Sequence, residues 1–519
     1  MYGLRTITNN YRSVSGITFC KFANIKSLML KNSLPFLKIL LVLVLIYTPF
    51  FMHLGNLPIR IWDEARLVAN ALEMQKNGNY LIPHFNGEPD MWNTKPPLMI
   101  ITQVLFLNLM GNQEISFRMP SALAGALTCL LLLYFSWRYL KSYWYGVIAI
   151  MILVTTDGYL GDHVARTGDY DAMLVLFTTL SSLALFIWTE KQKDRFLHLF
   201  FIGLALGILT KSVQALMFLP AIVLYLLFTR KLLALLRAKW FYFDMLLFMM
   251  VIAGYYIARE SYNNGYLQAV QMNELGGRFL KTIENHKHEA TYYLDLLYNS
   301  QFNTWFVFAF AGFLFSFTFS ESIFRRIAIF TALLTISYLV LISFSSTKLA
   351  WYTAPVFPLL ALLSAISIYR LYLYIISSPP SDFKWLGPGI IGFIMLVLFF
   401  FFPYYNIIDK VYKPRDHPLS AKFSSLSNYL KKSVEGKYNP DGYVICHEGY
   451  SSHIDYYIDK LHEKGLSVKL KDVASLNIGD QVIYTEDLLE SKIEGHFHYA
   501  EIQAYEGVKL IKIVSIRDN

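Results

Sequence analysis

Two acidic residues and an arginine form the most informative polar cluster of the sequence. Asp63, Glu64 and Arg66 lie within one helical turn of each other, directly after an apolar run. A carboxylate in a partly dry cleft can take the proton of an attacking hydroxyl, because desolvation raises its pKa. An acidic residue in the first turn of a helix can also serve only to satisfy free backbone N–H groups. The spacing alone leaves both roles open for Asp63.

Basic residues next to apolar runs form a second group with a chemical signature. They are Lys95, Arg118, Arg166, Lys211 and Lys348. Cations beside apolar segments can neutralise an anionic group at the membrane surface. Any single one of them can equally extend to lipid headgroups. Five together favour a shared anion site.

Apolar segments long enough to cross a bilayer must position these residues. The 519 residues are 55% hydrophobic and only 16% charged, which excludes a soluble, a disordered and a fibrous protein. A span needs about 20 mostly apolar residues. Segments that fit are 35–54, 119–137, 142–156, 171–189, 196–210, 212–229, 241–258, 302–319, 327–345, 351–369 and 386–403. The chain is therefore predicted to be a polytopic α-helical membrane protein of about 11 spans, with about 13 as the upper bound.

The distribution of Lys and Arg predicts the orientation of these spans. Alternate loops are basic, so the N-terminal segment 1–34 is predicted to be cytoplasmic and the membrane domain to cover 35–403. The loops 55–118 and 259–301 then lie on the outer side. Strand and helix patterns in 404–519 predict a small α/β extracytoplasmic domain. The chain has a net charge of +9, and its excess positive charge lies in the apolar part, which indicates cytoplasmic loops and no nucleic-acid partner.

Several short motifs follow one another in order along the membrane domain. They are Asp63–Arg66, the run Gly78-Asn79-Tyr80-Leu81-Ile82-Pro83, Lys95-Pro96-Pro97, Phe117–Ser121, Ala165–Met173, Leu209–Ser212 and Thr347–Pro355. In this order and spacing they resemble the integral-membrane glycosyltransferases of the GT-C superfamily. The resemblance is to the branch with the bacterial lipid A aminoarabinose transferases and the bacterial relatives of protein O-mannosyltransferases. It covers roughly residues 35–370.

The resemblance implies a transferase that moves a sugar from a polyprenyl-phosphate donor to a lipid, glycan or protein acceptor. It also implies the bacterial inner membrane, a periplasmic active site and inversion by single displacement. A phosphate at the headgroup level, attached to a tail in lipid, agrees with the cations named above. No glycine loop for a nucleotide is visible, and no cofactor is expected.

The resemblance also implies roles for particular residues. Asp63 is the first catalytic candidate: a general base for a hydroxyl acceptor, or a positioning or oxocarbenium-stabilising group for a phosphate acceptor. Asp171, at the matching Asp-x-Met position, is the second, with helix capping as the alternative; Glu64 is a supporting candidate. Donor-phosphate candidates are Lys95, Arg66, Arg118, Arg166, Lys211 and Lys348, and candidate substrate contacts are Tyr352, Asp169 and His84.

One position departs from the aminoarabinose transferases, in which a glutamate implicated in a metal site typically precedes the Lys-Pro. Thr94 stands there in this chain, so a metal at that position is not expected. Other histidines could ligate a divalent metal: His84, His163, His286 and His288. The His286-x-His288 pair has no carboxylate at a clear spacing and is a weak signal.

Two other functional classes share parts of this pattern. A flippase for lipid-linked sugars would have the same spans and anion site, but transporters tend to show internal repeats and broken mid-membrane helices. We find neither in the sequence. A non-catalytic scaffold would tolerate replacement of Asp63 and Lys95.

The segment Asn273–Arg278, with its glycine pair, is either a mobile lid or an ordinary surface loop.

Overall fold

The structure is a computed structural model that describes residues 37–276, 287–320, 322–377, 387–414, 418–505 and 507–517. The predicted cytoplasmic segment 1–34 lies outside the described residues. The chain divides into two compact units, residues 1–48 and 49–519. The first contributes the start of one apolar helix, and the second holds the rest of the architecture.

Helices dominate the described residues. In chain order they are α1 (Leu37–Phe51), α2 (Asp63–Asn77), α3 (Leu98–Met110), α4 (Glu114–Tyr139), α5 (Tyr143–Val154), α6 (Asp157–Leu160), α7 (Asp171–Lys191), α8 (Arg195–Lys211), α9 (Leu219–Phe228), α10 (Leu232–Arg237), α11 (Lys239–Tyr262), α12 (Tyr266–Val270), α13 (Tyr292–Leu296), α14 (Asn303–Phe315), α15 (Ser322–Ser343), α16 (Phe357–Ser377), α17 (Pro388–Tyr412), α18 (Pro418–Val434), α19 (Ser452–Glu463) and α20 (Glu486–His496). Most of the chain is therefore helical, as the apolar patterning predicts.

Seven helices of the described residues are long and apolar enough to cross a membrane. They are α4, α7, α8 with the turn after it, α11, α15, α16 with the turn before it, and α17. Each of the other predicted spans contains a shorter apolar helix, namely α1, α5, α9 or α14. A further apolar helix, α3, lies within the predicted loop 55–118. The count of about 11 spans stays a prediction.

Helices α7 and α8 pack closely because small residues line their contact. A Cβ on Gly203 of α8 would lie 2.9 Å from the carbonyl oxygen of Phe177 in α7. The hydroxyl of Ser181 donates a hydrogen bond of 3.1 Å to the carbonyl of Phe200. Small residues and side-chain hydrogen bonds are what joins helices in lipid, where apolar burial alone gives little. This contact fixes the end of α8 beside the start of α7.

Two β-sheets accompany the helices. The strands β1 (His84–Phe85) and β2 (Glu88–Pro89) form an antiparallel hairpin across Asn86-Gly87. Both turn residues have positive φ, 54° and 82°, as an Asn-Gly hairpin turn requires. The hairpin lies in the segment that connects α2 to Lys95.

The C-terminal residues form a mixed five-stranded sheet with helices α18, α19 and α20 against it. Its strands are β3 (Val444–Cys446), β4 (Lys469–Lys471), β5 (Gln481–Thr485), β6 (Phe497–Tyr505) and β7 (Val508–Ile516), in the order β4-β3-β5-β7-β6. The strand β3 pairs in parallel with β4 and β5, and β7 pairs antiparallel with β5 and β6. The helix α17 continues to Tyr412, and the predicted division at residue 404 stays a prediction.

The C-terminal part packs on the segment that leads into α2. The hydroxyl of Tyr457 accepts a hydrogen bond of 2.9 Å from the Ile59 amide and donates one of 2.9 Å to Glu114. Lys431 pairs with the same Glu114 at 3.1 Å and donates to the Gly55 carbonyl. These contacts join α4, α18, α19 and the segment before Asp63, so the C-terminal part helps to fix the start of α2.

Candidate active site

Asp63 begins α2 with its side chain turned away from the helix. The carboxylate is 52% exposed, and its Oδ2 lies 3.6 Å from Nδ1 of His163. The N-cap position is Trp62, whose side chain caps nothing and whose φ of 71° is left-handed. Such strained backbone is common at functional sites. The described contacts therefore leave Asp63 available to a ligand and do not use it as a helix cap.

Glu64, by contrast, is buried in an ion pair with Arg118. Both carboxylate oxygens contact the guanidinium, at 2.7 and 2.8 Å, and both side chains are nearly inaccessible, at 3% and 2%. Burial alone would raise the pKa of Glu64, but the charge of Arg118 and its hydrogen bonds hold that pKa below the usual value. The remaining donors of Arg118 reach the carbonyls of Leu54, Leu57 and Pro58. This pair joins α2 to α4. Neither of its two residues lines the cavity next to Asp63.

We expect the Glu64→Gln variant to unfold at a clearly lower temperature than the wild type. The change leaves the buried Arg118 charge without its counterion, which typically costs about 3–5 kcal/mol of folding free energy. Thermal unfolding of the purified protein in detergent measures it. Asp63→Asn is the matched control, because its half-exposed carboxylate should change stability by less than about 0.5 kcal/mol. An unchanged melting temperature for Glu64→Gln would contradict a structural role.

A cleft beside Asp63 gathers six of the residues that the sequence singles out. This cavity, called here the Asp63 cavity, encloses about 650 Å³ of non-atom space, part of it open to solvent. The sequence-predicted members are Asp63, Arg66, Lys95, Asp169, Lys211 and Tyr352. The other lining residues are Leu67, Trp92, Asn93, Tyr170, Gln214, Glu274 and Trp351, of which Glu274 belongs to the candidate lid segment Asn273–Arg278. Tyr170 and Trp351 stand inside quoted motifs, and Leu67, Asn93 and Gln214 lie within two positions of one. This closeness to the motifs is the signal that could have found them.

A histidine joins two of the carboxylates of this cavity, those of Asp63 and Asp169. His163 Nδ1 lies 2.6 Å from Asp169 Oδ2, and the ring stacks on Trp351 at a centroid distance of 3.6 Å. Burial alone would lower the pKa of His163, but Asp169 and Asp63 raise it above the usual value. For Asp169, burial is outweighed by His163, which lowers the pKa of that carboxyl. The cluster is therefore an imidazole ring between two carboxylates, whose charges favour the protonated form of the ring.

The same three residues could hold a metal ion. One ligand atom from each of Asp63, His163 and Asp169 lies within 4.8 Å of the other two. Among the described residues, this is the group of at least three His, Cys, Asp or Glu side chains whose ligand atoms lie that close together. The 2.6 Å contact of His163 with Asp169 is a hydrogen bond, which satisfies both groups without an ion.

Lys211, at the end of α8, is held in place by Asp171. Lys211 Nζ lies 2.5 Å from Asp171 Oδ2, at the start of α7. The ammonium also lies 5.7 Å from the centre of the Tyr352 ring, within cation–π range. Asp171 itself is fully buried and does not line the Asp63 cavity, so in this structure it positions Lys211.

Lys95 is supported by a polar network around Asp90. Arg66 contacts Asp90 with two hydrogen bonds of 2.7 and 2.8 Å, and Asn93 donates its amide to the same carboxylate. Burial would raise the pKa of Asp90, but these hydrogen bonds, chiefly from Arg66, hold it below the usual value. Lys95 Nζ lies 3.4 Å from Glu274, which belongs to the candidate lid segment Asn273–Arg278. Its last residues lie outside the described part.

The remaining predicted site residues lie elsewhere. Arg118 and Arg166 line a second cavity, and Lys348 donates to the Ser345 carbonyl at 2.8 Å in a buried position. His84, in β1, has its Nδ1 2.8 Å from the Ile82 carbonyl and does not line the Asp63 cavity. The structure therefore separates the single anion site that the five cations suggested. Of those five, Lys95 and Lys211 share the Asp63 cavity.

Comparison with known proteins gives partial matches in sequence. Residues 94–257 match the family model described as dolichyl-phosphate-mannose-protein mannosyltransferase. A Shewanella sediminis protein named undecaprenyl phosphate-alpha-4-amino-4-deoxy-L-arabinose arabinosyl transferase is 31% identical over 273 residues, 49% of this chain and 47% of that protein. An uncharacterized protein of Aquifex aeolicus is 27% identical over 216 residues, 41% of this chain and 42% of that protein. The chain spans less than half the length of these curated relatives.

The fold matches over a larger part of the chain. The crystal structure of ArnT from Cupriavidus metallidurans bound to undecaprenyl phosphate is similar with a TM-score of 0.66 and 13% sequence identity. The match covers 93% of this chain and 98% of that one. At this identity the likeness shows the fold. Together with the family model, it confirms the resemblance to the GT-C superfamily that the motifs indicated.

Proposed function

We propose that this membrane protein with the fold of the GT-C glycosyltransferases transfers a sugar from a polyprenyl-phosphate donor to an acceptor. The observation that carries the proposal is the Asp63 cavity, which is lined by a half-exposed carboxylate and by two lysines that stand next to apolar helices. Lys95 and Lys211 supply positive charge for a phosphate, and Asp63 supplies a carboxylate for the reacting sugar or acceptor. Neither group needs a cofactor for this chemistry.

In this proposal the donor phosphate binds to Lys95 and Lys211, which line the same cavity. Lys211 is fixed by Asp171, so its ammonium is preorganised and little conformational entropy is lost when an anion binds. Lys95 is held by Glu274 at 3.4 Å, a contact long enough to be exchanged for a phosphate oxygen. Preorganised cations stabilise the negative charge that develops as the sugar–phosphate bond breaks.

The lipid tail of the donor has an apolar groove next to this phosphate position. The groove is lined by Ile208, Ser212, Val213, Leu216, Ile252, Tyr256, Leu267, Val270, Gln271 and Gly276 and encloses about 1240 Å³, part of it open. It adjoins the Asp63 cavity, because Ser212 and Val213 line the groove while Lys211 and Gln214 line the cavity. The helix α11 contributes Ile252 and Tyr256 to this groove. Only 6% of its most apolar stretch is buried, as expected for a helix in contact with lipid.

In the reaction, an acceptor oxygen attacks the anomeric carbon and the bond from that carbon to the phosphate oxygen breaks. The polyprenyl phosphate leaves with the bonding electron pair, neutralised by Lys95 and Lys211. If the acceptor is a hydroxyl, Asp63 takes its proton. If the acceptor is a phosphate, it arrives ionised, and Asp63 positions it or stabilises positive charge on the sugar ring. Attack from the face opposite the phosphate would invert the anomeric centre.

The acceptor is a lipid, a glycan or a protein, and the reaction takes place at the periplasmic face of a bacterial inner membrane. The basic alternate loops support this orientation, since they place the N-terminus inside and the C-terminal sheet outside. A flippase for lipid-linked sugars remains the rival and differs in chemistry, because it breaks no glycosidic bond.

The proposal is tested by following the donor in reconstituted nanodiscs or vesicles. Purified protein is given polyprenyl-phosphate sugars together with an extract of outer-leaflet acceptors, and mass spectrometry measures release of the free polyprenyl phosphate. We expect release that depends on the acceptor extract. Movement of an intact donor between the leaflets of vesicles, without release, would support the flippase and overturn the transferase.

We expect sugar transfer to continue at an undiminished rate in the presence of a strong chelator. The physical reason is the direct hydrogen bond between His163 and Asp169, which leaves the cluster satisfied without a cation. Turnover of protein dialysed against EDTA, compared with the same protein supplied with Mg²⁺, Mn²⁺ or Zn²⁺, makes the measurement. A loss that a single metal restores would show that Asp63, His163 and Asp169 hold an essential ion.

A further inference from the structure

A second cavity lies on the other side of the segments that carry Asp63 and His163. It shares no lining residue with the Asp63 cavity and encloses about 1280 Å³, part of it open to solvent. The same two segments build both cavities. Arg60 and Asp162 line the second one, whereas Asp63 lines the first and His163 contacts its carboxylates. We call this second space the Arg166 cavity.

The charged residues of the Arg166 cavity leave one cation unpaired. Three of its cations have carboxylate partners within the cavity: Arg60 with Asp162, Lys410 with Asp157 and Lys413 with Asp409. A fourth, Arg118, is neutralised by Glu64. Arg166 donates to the carbonyls of Pro49 and Met52, and among the described residues it has no carboxylate partner.

The surroundings of Arg166 are unfavourable for a cation. Burial, together with the nearby charges of Arg118 and Arg60, lowers the pKa of Arg166 to about 10. A half-buried cation beside other cations lowers its free energy by binding an anion, and guanidinium binds phosphate with two parallel hydrogen bonds. Arg166 therefore marks the position at which an anion would be held.

Two further polar atoms of this cavity lack a partner. The hydroxyl of Thr167 is buried and has no hydrogen-bond partner among the described residues, and the whole residue is 4% exposed. The Nε2 atom of His53 is also buried without such a partner. Both residues line the Arg166 cavity. Leaving a buried polar group unsatisfied typically costs about 1–3 kcal/mol, so such groups usually have a ligand or water that completes them. Their presence next to Arg166 is a second, independent indication of a bound group.

The rest of the lining indicates what kind of anion fits. Apolar side chains cover one part of the cavity: Leu54, Leu57, Leu160, Ile407 and Val411. Ile407, Lys410 and Val411 belong to the end of α17, one of the helices long enough to cross a membrane. A ligand at this place would have its charged group among the basic residues and its apolar body beside the end of a membrane helix.

We propose that the Arg166 cavity binds the phosphate group of a second membrane lipid, separate from the sugar donor. Arg166 contacts the phosphate, Thr167 donates its hydroxyl to a phosphate oxygen, and the leucines with Ile407 and Val411 cover the first part of the acyl chains. The segments that carry Asp63 and His163 form the wall between this lipid and the donor. This inference concerns a binding site and does not depend on the proposed transferase activity.

The test measures lipid binding to the full-length protein in mixed micelles. Native mass spectrometry and thermal unfolding are recorded with phosphatidylglycerol, phosphatidic acid, phosphatidylcholine and inorganic phosphate as separate probes. We expect the two anionic lipids to bind and stabilise the wild type, at least tenfold more tightly than phosphatidylcholine. Stabilisation by inorganic phosphate as strong as that by the anionic lipids would overturn the lipid and leave a soluble anion as the ligand.

Matched variants locate the site. Arg166→Gln removes the unpaired charge, and Thr167→Val removes an unpartnered hydroxyl with little change of shape. We expect both variants to weaken binding of the anionic lipids at least tenfold. The control is Arg138→Gln, at the end of α4 opposite Arg118, and it should leave this binding unchanged. Deleting an unsatisfied buried hydroxyl should not lower the stability of the unliganded protein. A loss of lipid binding in Thr167→Val therefore cannot be explained by misfolding.

A variant of the donor site excludes the other explanation. If the anionic lipid occupied the Asp63 cavity instead, Lys95→Ala would weaken its binding, and Arg166→Gln and Thr167→Val would not. That pattern would overturn the proposed lipid site and leave the proposed transferase activity unaffected. Loss of binding in Arg166→Gln and Thr167→Val together with full binding in Lys95→Ala is the expected result.

Discussion

The Asp63→Asn variant is expected to lose at least about 100-fold of its transfer rate while it folds like the wild type. General-base or charge-positioning groups typically contribute factors of about 10²–10⁴ to a rate. Asn has nearly the shape of Asp but carries no charge and accepts no proton. Because the carboxylate is 52% exposed and its contact with His163 is 3.6 Å long, its removal should cost little stability. The measurement is turnover of a polyprenyl-phosphate sugar by protein of equal melting temperature.

The donor that stays bound gives the control for this experiment. Mass spectrometry of the lipid that co-purifies with Asp63→Asn should reveal a polyprenyl-phosphate sugar, since Lys95 and Lys211 are intact and the reaction is blocked. Asp63→Glu keeps the charge and should retain part of the rate. Full transfer by Asp63→Asn would remove both roles proposed for Asp63 and favour a non-catalytic protein.

The Lys95→Ala variant is expected to use its donor about 10- to 100-fold less efficiently, with little loss of stability. A hydrogen bond to a charged group typically contributes about 1.5–3 kcal/mol, which corresponds to this range. Among the described residues, Lys95 makes one ionic contact, with Glu274 at 3.4 Å, and a cation–π contact with Tyr170 at 5.4 Å. The fold therefore depends on Lys95 much less than a bound phosphate does. Turnover against donor concentration gives the measurement.

Two further variants make the Lys95 result specific. Lys95→Arg keeps the positive charge and should restore most of the donor affinity. Lys437→Ala removes an exposed lysine of the C-terminal part, and donor use should be unchanged. Equal donor affinity and turnover in Lys95→Ala and the wild type would show that Lys95 does not bind the phosphate.

The Glu64 and Asp63 pair illustrates what a motif cannot resolve. The two carboxylates are adjacent in sequence, and on a helix adjacent residues point about 100° apart. Asp63 faces the cavity, whereas Glu64 faces inward to Arg118, which lies 54 positions further along the chain. The motif Asp-Glu-Ala-Arg identified a segment that lines the cavity, but the different surroundings of its two carboxylates depend on a partner that local sequence does not reveal.

The basic residues show the same limit. Their positions next to apolar runs were visible in the sequence, and a shared anion site was the natural interpretation. The structure places Lys95 and Lys211 in one cavity, Arg118 and Arg166 at another, and Lys348 in a buried contact with Ser345. Which cations converge depends on how each helix is rotated and which loop it meets, and these are consequences of packing.

The sequence by itself determined the membrane class, the helical architecture, the resemblance to the GT-C superfamily and the segments that carry Asp63, Lys95 and Lys211. It could do so because apolar runs, helix periodicity and short motifs are local properties of the chain. Only the tertiary structure decided that Asp171 holds Lys211, that His163 joins two carboxylates, and that Arg166 faces a separate cavity with Thr167. These facts depend on side chains brought together from distant parts of the chain, whose free energies of burial and pairing are set by the whole packed fold.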